Sequence, residues 1–168
     1  LDSAIASVKI SKKETKLKEE KARYTFILGQ LYEKLNYKDS AFVAYQEVID
    51  MKRKSPRNYT IYSHLKQSTQ FDFETGDSLV FHKNLDKLLE NIENKAFRDV
   101  IHHQRALFYD KKGNDKLAIA NYNKSLKNMS ADKYLAASNF RNISTIYYQK
   151  KNFHASKKYL DSTLIHLS

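Results

Sequence analysis

His102 and His103 form the one adjacent pair of imidazoles in this 168-residue chain, and they invite a reading as metal ligands or a proton relay. Adjacent residues of a helix point about 100° apart, so the two rings cannot comfortably share one metal ion. A helix-surface ring beside a groove-facing one accounts for the pair. His64, His82, His154 and His166 stand alone in sequence. With no cysteine, disulfides, thiolate zinc sites and thiol nucleophiles are all removed. No G-x-x-x-x-G-K, H-E-x-x-H or G-x-S-x-G occurs, and there is no glycine-rich turn to cradle a phosphate. We therefore expect no catalytic residue, no cofactor and no metal.

Two other features suggest binding rather than reaction. The 12 Tyr and 9 Phe could stack nucleobases, but most fall at positions that helix packing requires. The formal charge of +11, from 30 Lys+Arg against 19 Asp+Glu, would attract an acidic partner, nucleic acid or an anionic membrane surface. The lysines are interleaved with Glu and Asp, as in Ser11–Lys21, so they also read as ordinary solvation of helix faces.

The elements that carry these residues are helices. Only 3 Gly and 1 Pro punctuate the chain, too few for the turns of a sandwich or barrel. No apolar run approaches a membrane span. The clearest unit is Phe26-Ile-Leu-Gly-Gln-Leu-Tyr32 followed by Ala41-Phe-Val-Ala-Tyr45. Gly29 lets a second helix approach closely, on the face that carries Ala41, and Leu28, Tyr32 and Tyr45 fill the space around that contact. The small residue recurs as Ser63, Ala106 and Ser144, each followed three residues later by Lys66, Tyr109 and Tyr147. Ser55-Pro56 reads as a cap and first helical position, Thr75-Gly76-Asp77-Ser78 as a turn, and Gly113-Asn114 as a turn with a cap. After Thr75–Ser78 a helix carries Leu79, Leu85, Leu88, Leu89 and Ile92. The polar break Asn128–Lys133 precedes a last pair with Phe140, Ile143, Ser144 and Tyr147 on its first helix and Phe153, Ser156, Leu160 and Leu164 on its second.

This L-G-x-x-Y and A-x-x-x-Y register resembles the tetratricopeptide repeat (TPR), whose usual length is about 34 residues, with the second pair longer than that. The resemblance implies an all-α fold, a right-handed superhelical solenoid of antiparallel helix pairs. One domain over 1–168 is expected: a partial repeat and linker at 1–21, a repeat at 22–55, a degenerate one at 56–96, and repeats at 97–131 and 132–168. The chain opens on what reads as the second helix of a repeat, so a piece of a longer protein is expected. Carried over from the family, the concave face is lined by Arg23, Phe26, Gln30 and Lys34, then His64, then His103, Leu107 and Lys111, then Arg141, Thr145 and Tyr148. That mixture suits an acidic or carboxylate-bearing peptide. The same groove could equally hold a neighbouring part of the same protein.

Ala22–Glu33, with Lys38-Asp-Ser-Ala41 and Arg53–Arg57, further resembles the TPR region of the SprE/PorW lipoproteins of Bacteroidetes type IX secretion and gliding motility. That resemblance implies a scaffold on the periplasmic face of the outer membrane, anchored from outside this stretch and contacting other secretion components. Asp2-Ser3-Ala4, Asp39-Ser40-Ala41, Asp77-Ser78-Leu79 and Asp161-Ser162-Thr163 look like the D-S-apolar O-glycosylation motif of that phylum, although Asp and Ser also favour helix starts. The alternative is a cytoplasmic regulatory module that binds a peptide, with RNA a more remote ligand.

Overall fold

A backbone with so few breakers has little option but to coil, and the computed structural model has helix as its regular secondary structure among the residues it describes, which are all but 71, 73, 75, 130, 131 and 168. The helices are α1 (Asp2–Glu14), α2 (Lys18–Lys34), α3 (Lys38–Asp50), α4 (Arg57–Thr69), α5 (Ser78–Glu90), α6 (Arg98–Lys111), α7 (Asp115–Lys127), α8 (Lys133–Gln149) and α9 (Phe153–Leu167). Short 3-10 segments occupy Lys52–Lys54 and Ile92–Phe97. None of the described helices is long and apolar enough to cross a membrane. The chain groups into two compact units, Leu1–Gly76 and Asp77–Ser168.

Three antiparallel pairs, α2/α3, α6/α7 and α8/α9, close on one turn design. Asn36, Gly113 and Lys151 adopt positive φ of 59°, 71° and 59°. The next N–H then reaches back five residues, from Tyr37 to the Tyr32 carbonyl at 2.9 Å, from Asn114 to Tyr109 at 2.8 Å and from Asn152 to Tyr147 at 3.0 Å. This is a Schellman closure, and it satisfies carbonyls that the helix end would orphan. Asn114 and Asn152 then cap the second helices by accepting from Leu117 N–H and Ala155 N–H, each at 3.1 Å. A lysine is a costly choice for the left-handed position. Lys151→Gly should stabilise the chain by about 0.5–1 kcal/mol; a melting temperature that falls instead would show that the Lys151 side chain contributes more than its backbone costs.

The small residues seat the pairs. A Cβ on Gly29 would stand 2.5 Å from Tyr45 Cε1, so the glycine receives the Tyr45 ring, and Ala41 is buried beside it. Ser144 is buried against α9, where its hydroxyl donates to the Ser156 carbonyl at 2.8 Å. Phe26, Ala41, Tyr45 and Val48 form the first unit's core cluster, flanked by Tyr32 and Tyr59. Ala106, Ala118, Tyr122, Ile143 and Ile146 form the second's, flanked by Leu107, Tyr109, Leu126 and Tyr147 among others.

Several expectations are corrected. The polar run Ser11–Lys21 is neither one linker nor one helix: α1 continues to Glu14, and the extended Thr15 breaks the chain before α2. Ser55 does not cap; its hydroxyl bonds to the Pro56 carbonyl, and α4 begins at Arg57 with Pro56 as the flanking residue. On α5 the buried residues are Phe81 and Leu85, whereas Leu79 and, beyond the helix, Ile92 lie in solvent at 80% and 72% exposure. Asp77 caps that helix by accepting from Leu79 N–H and Val80 N–H. Residues 75, 130 and 131, parts of the expected turn and polar break, lie outside the described residues. The degenerate second pair is shared between the units, because α4 packs on α3 while α5 packs on α6.

Candidate functional site

In the first unit the open face of α2 carries Arg23, Gln30 and Lys34, all exposed and spaced seven and four residues apart, which places them on one stripe. Phe26 falls in the same line but is only 8% exposed. Its ring packs on Tyr45 at 5.6 Å and Tyr59 at 5.4 Å, so it serves the α2–α3–α4 contact and its face is not open to a ligand. His64, on α4, is partly buried, and burial followed by the Arg57 charge holds its imidazole below the ordinary value. It is a neutral ring at pH 7.

Lys66 stands where the other pairs have Tyr32, Tyr109 and Tyr147. Its Nζ lies 2.7 Å from the Glu33 carboxylate, tying α4 to α2. Glu33 in turn lies against the Tyr45 phenol, and burial first, then that carboxylate, keeps the phenol protonated. The second unit repeats the device. Tyr122 donates to Asp110 at 2.9 Å, and Asn142 of α8 donates to the same phenol oxygen at 3.1 Å. The acid stands twelve residues before the tyrosine in both cases, a spacing present in the sequence that no ligand-binding pattern marks.

On α6, His103 and Leu107 are partly buried and Lys111 is exposed. His103 Nδ1 donates to Asn139 Oδ1 at 2.7 Å; Asn139 Nδ2 donates to Ser125 Oγ at 2.8 Å; Ser125 donates to the Asp99 carbonyl at 2.8 Å. This chain of bonds joins α6, α7 and α8, so His103 is a structural tie. Leu107 packs against the core cluster. On α8, Arg141, Thr145 and Tyr148 are exposed, and Thr145 is oriented by a bond to the Arg141 carbonyl at 3.0 Å. Tyr134, seven residues before Arg141 and 80% exposed, extends that stripe and was missed because no family position pointed to it. Tyr148 meets Phe153 edge-on at 5.5 Å.

His102 turns the other way from His103. Burial first, then the Arg105 and Lys124 charges, lower it to about 4, and its Nδ1 lies buried without a bond. Among the described residues no three His, Asp or Glu side chains converge to hold a metal. His82 and His103 are also lowered, by burial first. Because the folded values lie below that of an unfolded histidine, the unfolded chain binds more protons between about pH 6.5 and pH 4. Stability is therefore full above about pH 6.5 and falls as pH drops toward 4. After allowance for partial exposure, His102 should contribute roughly 1–2 kcal/mol of that loss. His102→Gln should flatten the acid limb of the melting-temperature profile; an unchanged limb would exclude His102 as its source.

Of the D-S-apolar serines, Ser3 and Ser40 are exposed in the first turns of α1 and α3, Asp77 serves as the α5 cap, and the Ser162 hydroxyl is engaged with the Lys158 carbonyl. Residues 22–55 and 100–128 each match the tetratricopeptide repeat family. These are the stretches that hold the α2/α3 and α6/α7 pairs, and they support the reading of the fold as TPR-type helix pairs. No curated protein matches the chain.

Proposed function

We propose that the chain is a non-catalytic scaffold in which the exposed first-helix face of each unit holds an acidic segment of a partner protein. The observation that carries this is the division of labour on α2 and α8. Small and aromatic residues at the repeat positions are consumed by packing, while Arg23, Gln30 and Lys34 on one helix, and Tyr134, Arg141, Thr145 and Tyr148 on the other, face solvent. Among the described residues Arg23, Lys34 and Arg141 form no ion pair, so their charge is available to a carboxylate. Tetratricopeptide repeats generally bind proteins or peptides and are generally non-catalytic, which supports the coarse reading. We extend it, on the likeness of about residues 22–75 to the SprE/PorW lipoproteins, to a scaffold of the type IX secretion and gliding machinery facing the periplasm.

The test is capture from a cell-envelope extract of a gliding Bacteroidetes species, with wild type beside Arg23→Glu/Lys34→Glu and Arg141→Glu, one set for each unit. Recovery of secretion components by wild type, lost more than tenfold on reversal and weakened by salt, is the expected result. Folding should be unaffected, because exposed charges contribute little to stability. A nonspecific oligonucleotide that binds tightly at physiological ionic strength, and is released by the same reversals, would replace the peptide reading with a nucleic-acid one.

A further inference from the structure

Short connections turn α1 back on α2 and α2 back on α3, so the end of α1, the start of α2 and the end of α3 meet at one edge of the first unit. Lys12 of α1 lies 2.6 Å from the Glu47 carboxylate of α3, and a cleft of about 390 Å³ opens between Lys18 and Lys21 on α2 and Asp50, Met51 and Lys54 at the end of α3. The unit's excess charge is gathered here. Residues 12–21 and 47–57 hold nine Lys+Arg against five Asp+Glu, whereas the rest of Leu1–Gly76 balances five against five. Lys16, Lys18, Lys21, Lys52, Arg53 and Lys54 are exposed, and among the described residues none of them forms an ion pair. Of the acids, Glu47 is engaged by Lys12, Glu20 accepts from the Thr15 hydroxyl and Asp50 accepts from the Gln46 amide, while Glu14 and Glu19 are exposed.

We propose that this edge rests on an anionic membrane surface, where the six cations meet lipid phosphates and Leu17 enters the headgroup layer. Three observations select a bilayer. Helix pairs of this repeat stack side by side, so a further pair before α1 would cover the flank of that helix and leave the edge of helix ends open. Leu17 stands between Lys16 and Lys18 at 62% exposure, and its N–H donates to the Thr15 hydroxyl at 3.2 Å, which fixes it at the corner before α2. A polyanion in water gains little from that leucine; a bilayer interface takes both the leucine and the lysines that flank it. Residues 12–21 and 47–57 also contain no Phe, Tyr, Trp or His, so the edge lacks the stacking platform that a single-stranded nucleic acid uses. The inference is independent of the peptide reading, which rests on the open face of α2 and not on this edge.

The 168-residue chain should sediment with phosphatidylcholine vesicles that contain about a third phosphatidylglycerol, and not with phosphatidylcholine alone. Lys16→Glu/Lys18→Glu and Lys52→Glu/Lys54→Glu should each weaken partitioning roughly tenfold or more with the melting curve retained, since all four side chains are exposed. Lys34→Glu/Lys38→Glu makes the same change of net charge at the opposite edge, about 24 Å along α2 from Lys18, and should weaken it by no more than about threefold. Leu17→Ser should weaken it several-fold. The chain has no tryptophan, so Leu17→Trp supplies a single reporter whose emission should move to shorter wavelength on the anionic vesicles. No sedimentation with those vesicles, an unshifted Leu17→Trp emission, or an equal loss from Lys34→Glu/Lys38→Glu would each overturn the proposal. Displacement by inorganic phosphate at matched ionic strength would assign the cations to the free anion, and tighter binding of a nonspecific oligonucleotide at the same salt would assign them to nucleic acid; either result also overturns it.

Discussion

Gly29→Leu is expected to destabilise the chain by about 3 kcal/mol or more, seen as a fall in melting temperature on the order of 10 °C. Even the first carbon of the new side chain would sit 2.5 Å from Tyr45 Cε1, and that ring is itself wholly buried against Phe26. The ring cannot swing away without opening the α2–α3 contact. Gly29→Ala is the more discriminating variant. In a helix interior alanine is favoured over glycine by about 1 kcal/mol, so a site with room would be stabilised. Here the clash outweighs the propensity, and a net loss of about 1 kcal/mol is expected. Adding Tyr45→Leu should relieve part of the Gly29→Ala cost, which a double-mutant cycle would read as coupling between the two positions. Additive effects, or a melting temperature unchanged by Gly29→Leu, would refute the packing role.

Asn139→Leu is expected to cost about 2–4 kcal/mol. Asn139 is 1% exposed and is the link through which His103 and Ser125 are both satisfied. Leucine fills a similar volume, so the loss would come from two hydrogen bonds and from a buried histidine nitrogen and serine hydroxyl left without one partner each. The pH dependence separates this from simple mispacking. The bond to Asn139 opposes the burial that lowers His103, so removing it should drive that imidazole lower still. Nitrogen-15 shifts of His103 would report it. A His103 titration unmoved by Asn139→Leu would mean that the bond does not hold the ring in solution.

The repeat register was legible because it is local. Gly29, Ala106 and Ser144, the tyrosines three residues after each, and the turn at Gly113 each lie within a single hairpin, where the spacing of residues on two adjoining helices sets which side chains meet. The same locality made the Asn114 cap readable and His102 and His103 separable, since one turn of helix fixes the angle between neighbours. Phe26 shows where that reading stops. Its place on α2 suggested an open ring, and Tyr45 together with Tyr59, thirty-three residues on, covers it. Lys66 seemed a failed aromatic until α4 set it against Glu33, and His103 seemed a groove residue until α8 brought Asn139 to it. Helix type and hairpin pairing follow from residues a few positions apart, so the sequence alone determined them. Which face of each helix remains open depends on which remote helix packs over it, and that was decided only by the tertiary structure.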